Sequence, residues 1–310
     1  MENTKKIVKD VIPARNKIKK CHQDRIFHAI CIAVVAFLTL IVLLPMINVI
    51  SSSFSTPSDV MAGRVTLLPV NPTTSNYQMI LKYDAVWLGY RNTIFYTVVG
   101  TAINIAMTLI CAYPLAQKSF SGRKFFSMVF FIPMIFTSGM IPNYILMRDL
   151  GFINKIWAVL IPGAISIYNM IVTRTFIETT IPETVYEAAF IDGCSPIRFF
   201  VSFVLPLSKT IIAVIGMYYA VAHWNNYFSA FLYLNDRNMF PLQLYLREIL
   251  INSQFDPSSI DDPDIIRAMQ GLSDTLKYVI IVLSTAPLMM VYPFVQKFFV
   301  KGVMIGAVKG

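Results

Sequence analysis

Charged side chains are scarce: Asp, Glu, Lys and Arg together make up 14% of 310 residues, against about a quarter in an ordinary soluble domain. With 56% hydrophobic residues and a mean hydropathy of +0.61, the chain lacks the polar surface a water-soluble globule needs, which leaves a polytopic membrane protein. Cysteine is rare too. Cys21, Cys31, Cys111 and Cys194 fall in segments read as cytoplasmic or intramembrane and show no metal-ligand spacing, so neither a disulfide nor a zinc site is expected. Histidine is limited to His22, His28 and His223, two of them in the N-terminal tail or at its junction with the first apolar run, and no nucleophile–base arrangement is visible. A G-x-x-x-x-G-K-[ST] phosphate loop is missing, since Gly139, Gly151 and Gly163 stand alone. The chain is therefore read as a non-enzyme with no catalytic residue, metal or bound cofactor.

What is present is six uncharged runs. The first, Ile26 to Ser58, contains a span over 26–50, too long for a signal-peptide core and followed by Ser51-Ser52-Ser53-Phe54 without a small-x-small cleavage site, so it reads as a retained anchor. Asn92–Gln117, Phe125–Met147, Ile156–Thr173, Thr210–Asn235 and Tyr278–Gln296 each reach the roughly 18 residues needed to cross about 30 Å of hydrocarbon as a helix. An all-α protein with six transmembrane helices is expected, both termini on one side: a basic tail over 1–25, a first helix over 26–50, an external loop over 51–91, a five-helix core over 92–300 and a short tail over 301–310.

The net charge of +9 is not spread as a nucleic-acid footprint. With the tails and the 118–124, 174–209 and 297–309 segments inside, 17 of the 26 Lys and Arg lie inside; the 9 outside are Arg64, Lys82, Arg91, Arg148, Lys155, Arg237, Arg247, Arg267 and Lys277. The positive-inside rule then puts both ends in the cytoplasm and the whole chain in the cell membrane, with no nucleic-acid partner. The last outer loop, 236–277, is the acidic one.

The inner segment 174–209 carries the strongest signal. Thr180 followed by Glu183 has capping-box spacing, Pro182 is tolerated in a first turn, and Gly193 supplies a left-handed terminator, which predicts a short helix over about 181–192. Glu183 and Glu187 share one face, where like charges repel by a few tenths of a kcal/mol. The cap and helix dipole account for Glu183; Glu187 is too far along. It is either solvated or paired with Arg198, or it meets a basic residue of a soluble partner whose groove closes on the low surface of Ala188, Ala189 and Val185.

Glu187-Ala188-Ala189, three residues, Gly193, nine residues, then Phe203 two before Leu205-Pro206 resembles the EAA loop of ATP-binding-cassette (ABC) importer permeases, with Phe203 where that family usually has Ile. The end of the chain, from Gln296 to Lys309-Gly310, is similar to the MalG-type carbohydrate permeases of MetI-like fold, as are Ser51-Ser52-Ser53-Phe54-Ser55, Leu67-Leu68-Pro69 and Asn76-Tyr77. The Ser58–Gly63 stretch leans toward their LplC/YtcP-like branch, linked to complex or polysaccharide-derived oligosaccharides. The resemblance implies alternating access by half of a heterodimeric path: a second, related permease, two ATP-binding subunits carrying ATP and Mg, an extracellular solute-binding lipoprotein and a carbohydrate cargo, all within membrane lipid. It implies that Glu183, Glu187, Ala188, Ala189, Asp192, Gly193, Leu205 and Pro206 couple to the ATPase, that Lys301, Gly302, Lys309 and Gly310 reach it from the tail, and that the 236–277 loop reaches into the binding protein.

The fifth span is the polar one, with Tyr218, Tyr219, His223, Trp224, Asn225, Asn226 and Tyr227. Bare amides in lipid cost several kcal/mol, so these groups must face protein or a wet path. Tyr219, His223 and Asn226 are expected on one face, forming with Tyr218 and Asn104 either a translocation surface or an interfacial aromatic belt combined with helix-to-helix hydrogen bonds. A permease for peptide or polyamine would keep the same EAA loop. An ion-coupled transporter would want intramembrane carboxylates, and the runs contain none; a purely structural scaffold would not need an exposed coupling helix.

Overall fold

The computed structural model describes residues 22–136, 138–252 and 263–307, and within these the chain is helical throughout with no strand. In order the helices are α1 (His22–Ser53), α2 (Pro57–Met61), α3 (Ser75–Leu81), α4 (Asp84–Ala116), α5 (Arg123–Ile135), α6 (Met140–Asp149), α7 (Trp157–Leu160), α8 (Ile167–Thr180), α9 (Glu183–Ile191), α10 (Pro196–Leu207), α11 (Lys209–Trp224), α12 (Phe228–Tyr233), α13 (Leu242–Asn252) and α14 (Pro263–Ala307).

Three of the six apolar runs fold as continuous helices long enough to span a bilayer: α1, α4 and the stretch Leu272–Phe294 of α14. The run expected over Thr210–Asn235 stops earlier. Here α11 ends at Trp224, and α10 and α11 pass as one span only when joined across a 78° bend at Ser208. The other two runs are each divided. Pro133 removes a donor near the end of α5 and Gly139, at φ 78°, turns the chain into α6. Gly163, at φ 80°, separates the one-turn α7 from α8.

The centre of the assembly is α4, which packs against α11, α8, α13 and α7. At one end its Ala112, Leu115 and Ala116 meet Met170 and Ile177 of α8 and Phe199 of α10. At the other, Tyr96 meets Leu160, Ala230, Leu244 and Tyr245. α1 is exposed along nearly its whole length, and only its last turn, Ser51–Ser53, is buried. That turn is pinned by the segment after it: Asn48 donates to the carbonyls of Val65 and Thr66, Ser51 to that of Leu67, and Asn76 to that of Ser55. Inside this segment Asp59 accepts from Thr56, Arg64 and Asn71. Those bonds, from Thr56 first and then Asn71, hold its carboxyl below the usual range against the opposing effect of burial.

Candidate functional site

α9 stands out from the helix assembly, and its boundaries differ from expectation. The residue before a proline is pushed out of helical backbone, so Ile181 closes α8 by donating to the Ile177 carbonyl, and Pro182 becomes the extended N-cap of α9. Glu183 is thereby the first helical residue rather than the third. The expected capping box does not form: Thr180 belongs to the last turn of α8, with its hydroxyl buried and unpartnered. Glu183 instead accepts from Lys118 Nζ at 2.6 Å, across the loop between α4 and α5. That hydrogen bond, followed by the carboxylate's charge, holds Lys118 above the ordinary lysine range.

Gly193 ends the helix as the sequence predicts. It adopts φ 75°, its N–H donates to the Phe190 carbonyl, and the N–H of Cys194 reaches the Ala189 carbonyl at 2.9 Å. The inner face of α9 seats Tyr186 and Ala189 on the cluster around Phe199, whose ring meets Tyr186 edge-on at 5.3 Å. Its outer face shows Glu187, Ala188 and Asp192 to solvent together with large apolar groups: Phe190 is 62% exposed, Ile191 84% and nearby Ile197 78%. Glu187 makes no ion pair among the described residues, so the pairing with Arg198 is not made.

The Leu205-Pro206 pair lies one turn before the 78° bend into α11, so the motif runs from an exposed helix to the elbow that leads into a span. A second ionic group braces the base. Glu178 of α8 accepts from Arg174 Nε at 3.0 Å and from Arg123 of α5. Between it and the Lys118–Glu183 pair lies a cleft of about 190 Å³, also lined by Tyr186 and Ile181. Sequence reasoning missed Lys118, Arg123 and Glu178. Only the Arg174–Glu178 pair, spaced i,i+4, was locally readable.

The polar span residues divide. Tyr219 and His223 face α4, whereas Asn226 lies past the end of α11, where its N–H donates to the His223 carbonyl and its Oδ1 accepts from Ser229 N–H. The expected common face is thus cut by the helix terminus. His223 Nε2 lies 2.8 Å from Asn104 Oδ1, and Asn104 Nδ2 donates to the Gly163 carbonyl. The Tyr219 hydroxyl lies 2.7 Å from that of Thr108 and accepts from Ser166 N–H. Gly100 admits the imidazole, because a Cβ there would sit 2.5 Å from two of its ring atoms. Asn104, Tyr219 and His223 therefore come together in interhelical bonds, and Tyr218 is 48% exposed. Lys301 and Gly302 lie on the backbone of α14; Lys309 and Gly310 are outside the described residues.

Apolar helices fit to span a bilayer, and a short helix exposed in the loop leading into a bent one, define a multi-pass membrane transport subunit. No protein-family model matches the chain. Whole-chain relatives do. It is 35% identical over 291 residues to the "Polygalacturonan/rhamnogalacturonan transport system permease protein YtcP" of Bacillus subtilis, covering 93% of this chain and 100% of that one. It is 37% identical to "Protein LplC" of the same organism, over 87% of this chain and 90% of the other. A solved structure described as a bacterial ABC transporter involved in the import of the acidic polysaccharide alginate superposes with a TM-score of 0.79 at 33% identity, over 90% of this chain and 98% of that one. The protein belongs to the MalG-type carbohydrate ABC transporter permeases, and is a permease subunit rather than an enzyme.

Proposed function

We propose that this subunit forms half of the membrane path for polysaccharide-derived oligosaccharides, with the path opened and closed through α9 by a separate ATPase dimer. The names of the relatives support the cargo class. Counting α5–α6 and α7–α8 as broken crossings gives six spans, and the charge bias then sets both termini and α9 in the cytoplasm, with the segments after α1 and α11 outside. The partners are a second permease, two ATP-binding subunits that hold ATP and Mg, and an external binding protein.

One observation carries the reading: a helix rooted by Tyr186 and Ala189 presents an unpaired carboxylate, Glu187, amid exposed Ala188, Phe190 and Ile191. Lone exposed aromatics are ordinary, but a contiguous apolar patch beside exposed carboxylates, here Glu187 and Asp192, marks a docking surface. In alternating access, closure of an ATPase dimer on that patch pulls α9. The force passes through Phe199 and the Leu205-Pro206 elbow to α11, and through Glu183–Lys118 to the foot of α4. On the path itself, Asn104, Tyr219 and His223 join the two helices this movement displaces, and exposed Tyr218 on α11 and Asn226 just past its end complete the candidate surface. The tail residues Lys301, Gly302, Lys309 and Gly310 add a further contact with the ATPase.

The test is uptake of oligosaccharide by vesicles holding the assembled complex. ATP-dependent uptake that survives collapse of the proton gradient is expected, with cross-links from a cysteine at Glu187 to an ATPase subunit. Ion-driven uptake, or cross-links from that cysteine to the external binding protein, would refute the assignment.

A further inference from the structure

Resting on the carbohydrate reading above, the geometry points to Arg247 as a cation for the carboxylate of an acidic sugar ring, at the outer mouth of the path. Arg247 stands on α13, with its guanidinium carbon 4.5 Å from the centroid of the Phe231 ring and 5.4 Å from that of Tyr227. Both aromatics belong to one turn at the start of α12 and are open, Tyr227 at 41% and Phe231 at 54% exposure. A guanidinium laid on ring faces keeps its N–H edge free for an in-plane, two-pronged hydrogen bond to a carboxylate.

Its neighbours are already used. Arg237 is paired with Glu248 at 2.6 Å and Lys277 with Asp274 at 2.7 Å. Arg247 has no carboxylate partner among the described residues. Glu248 and Asp274 are taken up by those pairs, which leaves Arg247 to meet the carboxylate of an entering polyanion.

The position is also right. Tyr227 follows directly on Asn225 and Asn226, at the end of the helix that carries His223 and Tyr219. The exposed parts of the two aromatics offer apolar surface beside the guanidinium for the C–H face of a sugar ring, while Arg247 takes the carboxylate that a uronic acid carries ionised at neutral pH. Alginate, the cargo in the description of the similar structure, is acidic, and the units of a polygalacturonan are uronic acids.

The experiment uses the complete complex in liposomes with its binding protein, and reads ATPase stimulation and uptake for trigalacturonate, trimannuronate and the carboxyl-reduced, neutral form of each. Arg247→Gln should cut transport of the acidic trimers about tenfold, the loss of one charge-assisted contact, and leave the neutral trimers at the wild-type rate. Arg247→Lys should restore part of it. Wild-type transport of the acidic trimers by Arg247→Gln would overturn the assignment. So would an equal fall for acidic and neutral trimers, which marks a structural or subunit contact, or an effect that vanishes in liposomes free of anionic lipid, which marks a headgroup contact. If the wild-type complex moves only neutral trimers, the acidic-sugar inference fails and the carbohydrate reading stands. If it moves no oligosaccharide, that reading fails first.

Discussion

Gly100→Ala is a one-carbon change with a calculable consequence. The new methyl carbon would lie 2.5 Å from Cε1 and Nε2 of His223 and 2.8 Å from Cδ2, where carbon contacts settle at about 3.5–4 Å. An overlap of about 1 Å forces the ring away, which breaks its 2.8 Å bond to Asn104 and strands an acceptor on a side chain only 2% exposed. Overpacking of this kind costs about 1–3 kcal/mol, and interhelical hydrogen bonds in membrane proteins average about 0.6 and reach about 1.7 kcal/mol. Ala regains roughly 0.5–1 kcal/mol over Gly within a helix. The net expectation is a loss of about 2 kcal/mol. His223→Ala alone forfeits the hydrogen bond, but in the double variant the methyl occupies space the ring has left. Equilibrium unfolding in mild detergent should therefore show Gly100→Ala/His223→Ala as more stable than Gly100→Ala, with a coupling of about 1–2 kcal/mol across the cycle. Additive effects, or a Gly100→Ala protein as stable as the wild type, would refute the proposed close packing of α4 on α11.

Gly193→Val has open space around its Cβ but must hold φ 75°, a left-handed backbone that costs about 1–2 kcal/mol per non-glycine residue. It should unwind the end of α9 and abolish ATP-dependent uptake while membrane insertion, assayed by protease protection, stays intact; Glu187→Lys should do the same through charge alone, and wild-type uptake in either would remove the coupling assignment. For the Lys118–Glu183 pair, Lys118→Glu and Glu183→Lys should each lower the stimulation of ATPase activity by loaded binding protein severalfold. The double swap should restore it, because the 2.6 Å pair is rebuilt with reversed polarity; no rescue would mean that Lys118 and Glu183 act separately.

What was legible in the sequence followed the range of the interaction. The helix stop at Gly193 is a local matter of backbone freedom, and it could be read from one residue. So could the long apolar runs of α1 and α4, where length and lack of charge suffice. The start of α9 was misread because two local rules compete across Thr180–Glu183. The spacing proposes a capping box, while Pro182 expels Ile181 from helical backbone, and the proline prevails because a steric restriction does not yield to one hydrogen bond. The expected face of Tyr219, His223 and Asn226 failed in the same way, since periodicity carries no account of where a helix stops. Nothing local could have given Lys118 to Glu183, 65 residues away, or Asn104 to His223, 119 residues away. Yet these distant pairs fix what the helix can do. With Glu183 spent on its own chain, Glu187 is the α9 carboxylate left for a partner, which is why the proposed coupling gives Glu183 the task of anchoring α9 and Glu187 that of meeting the ATPase.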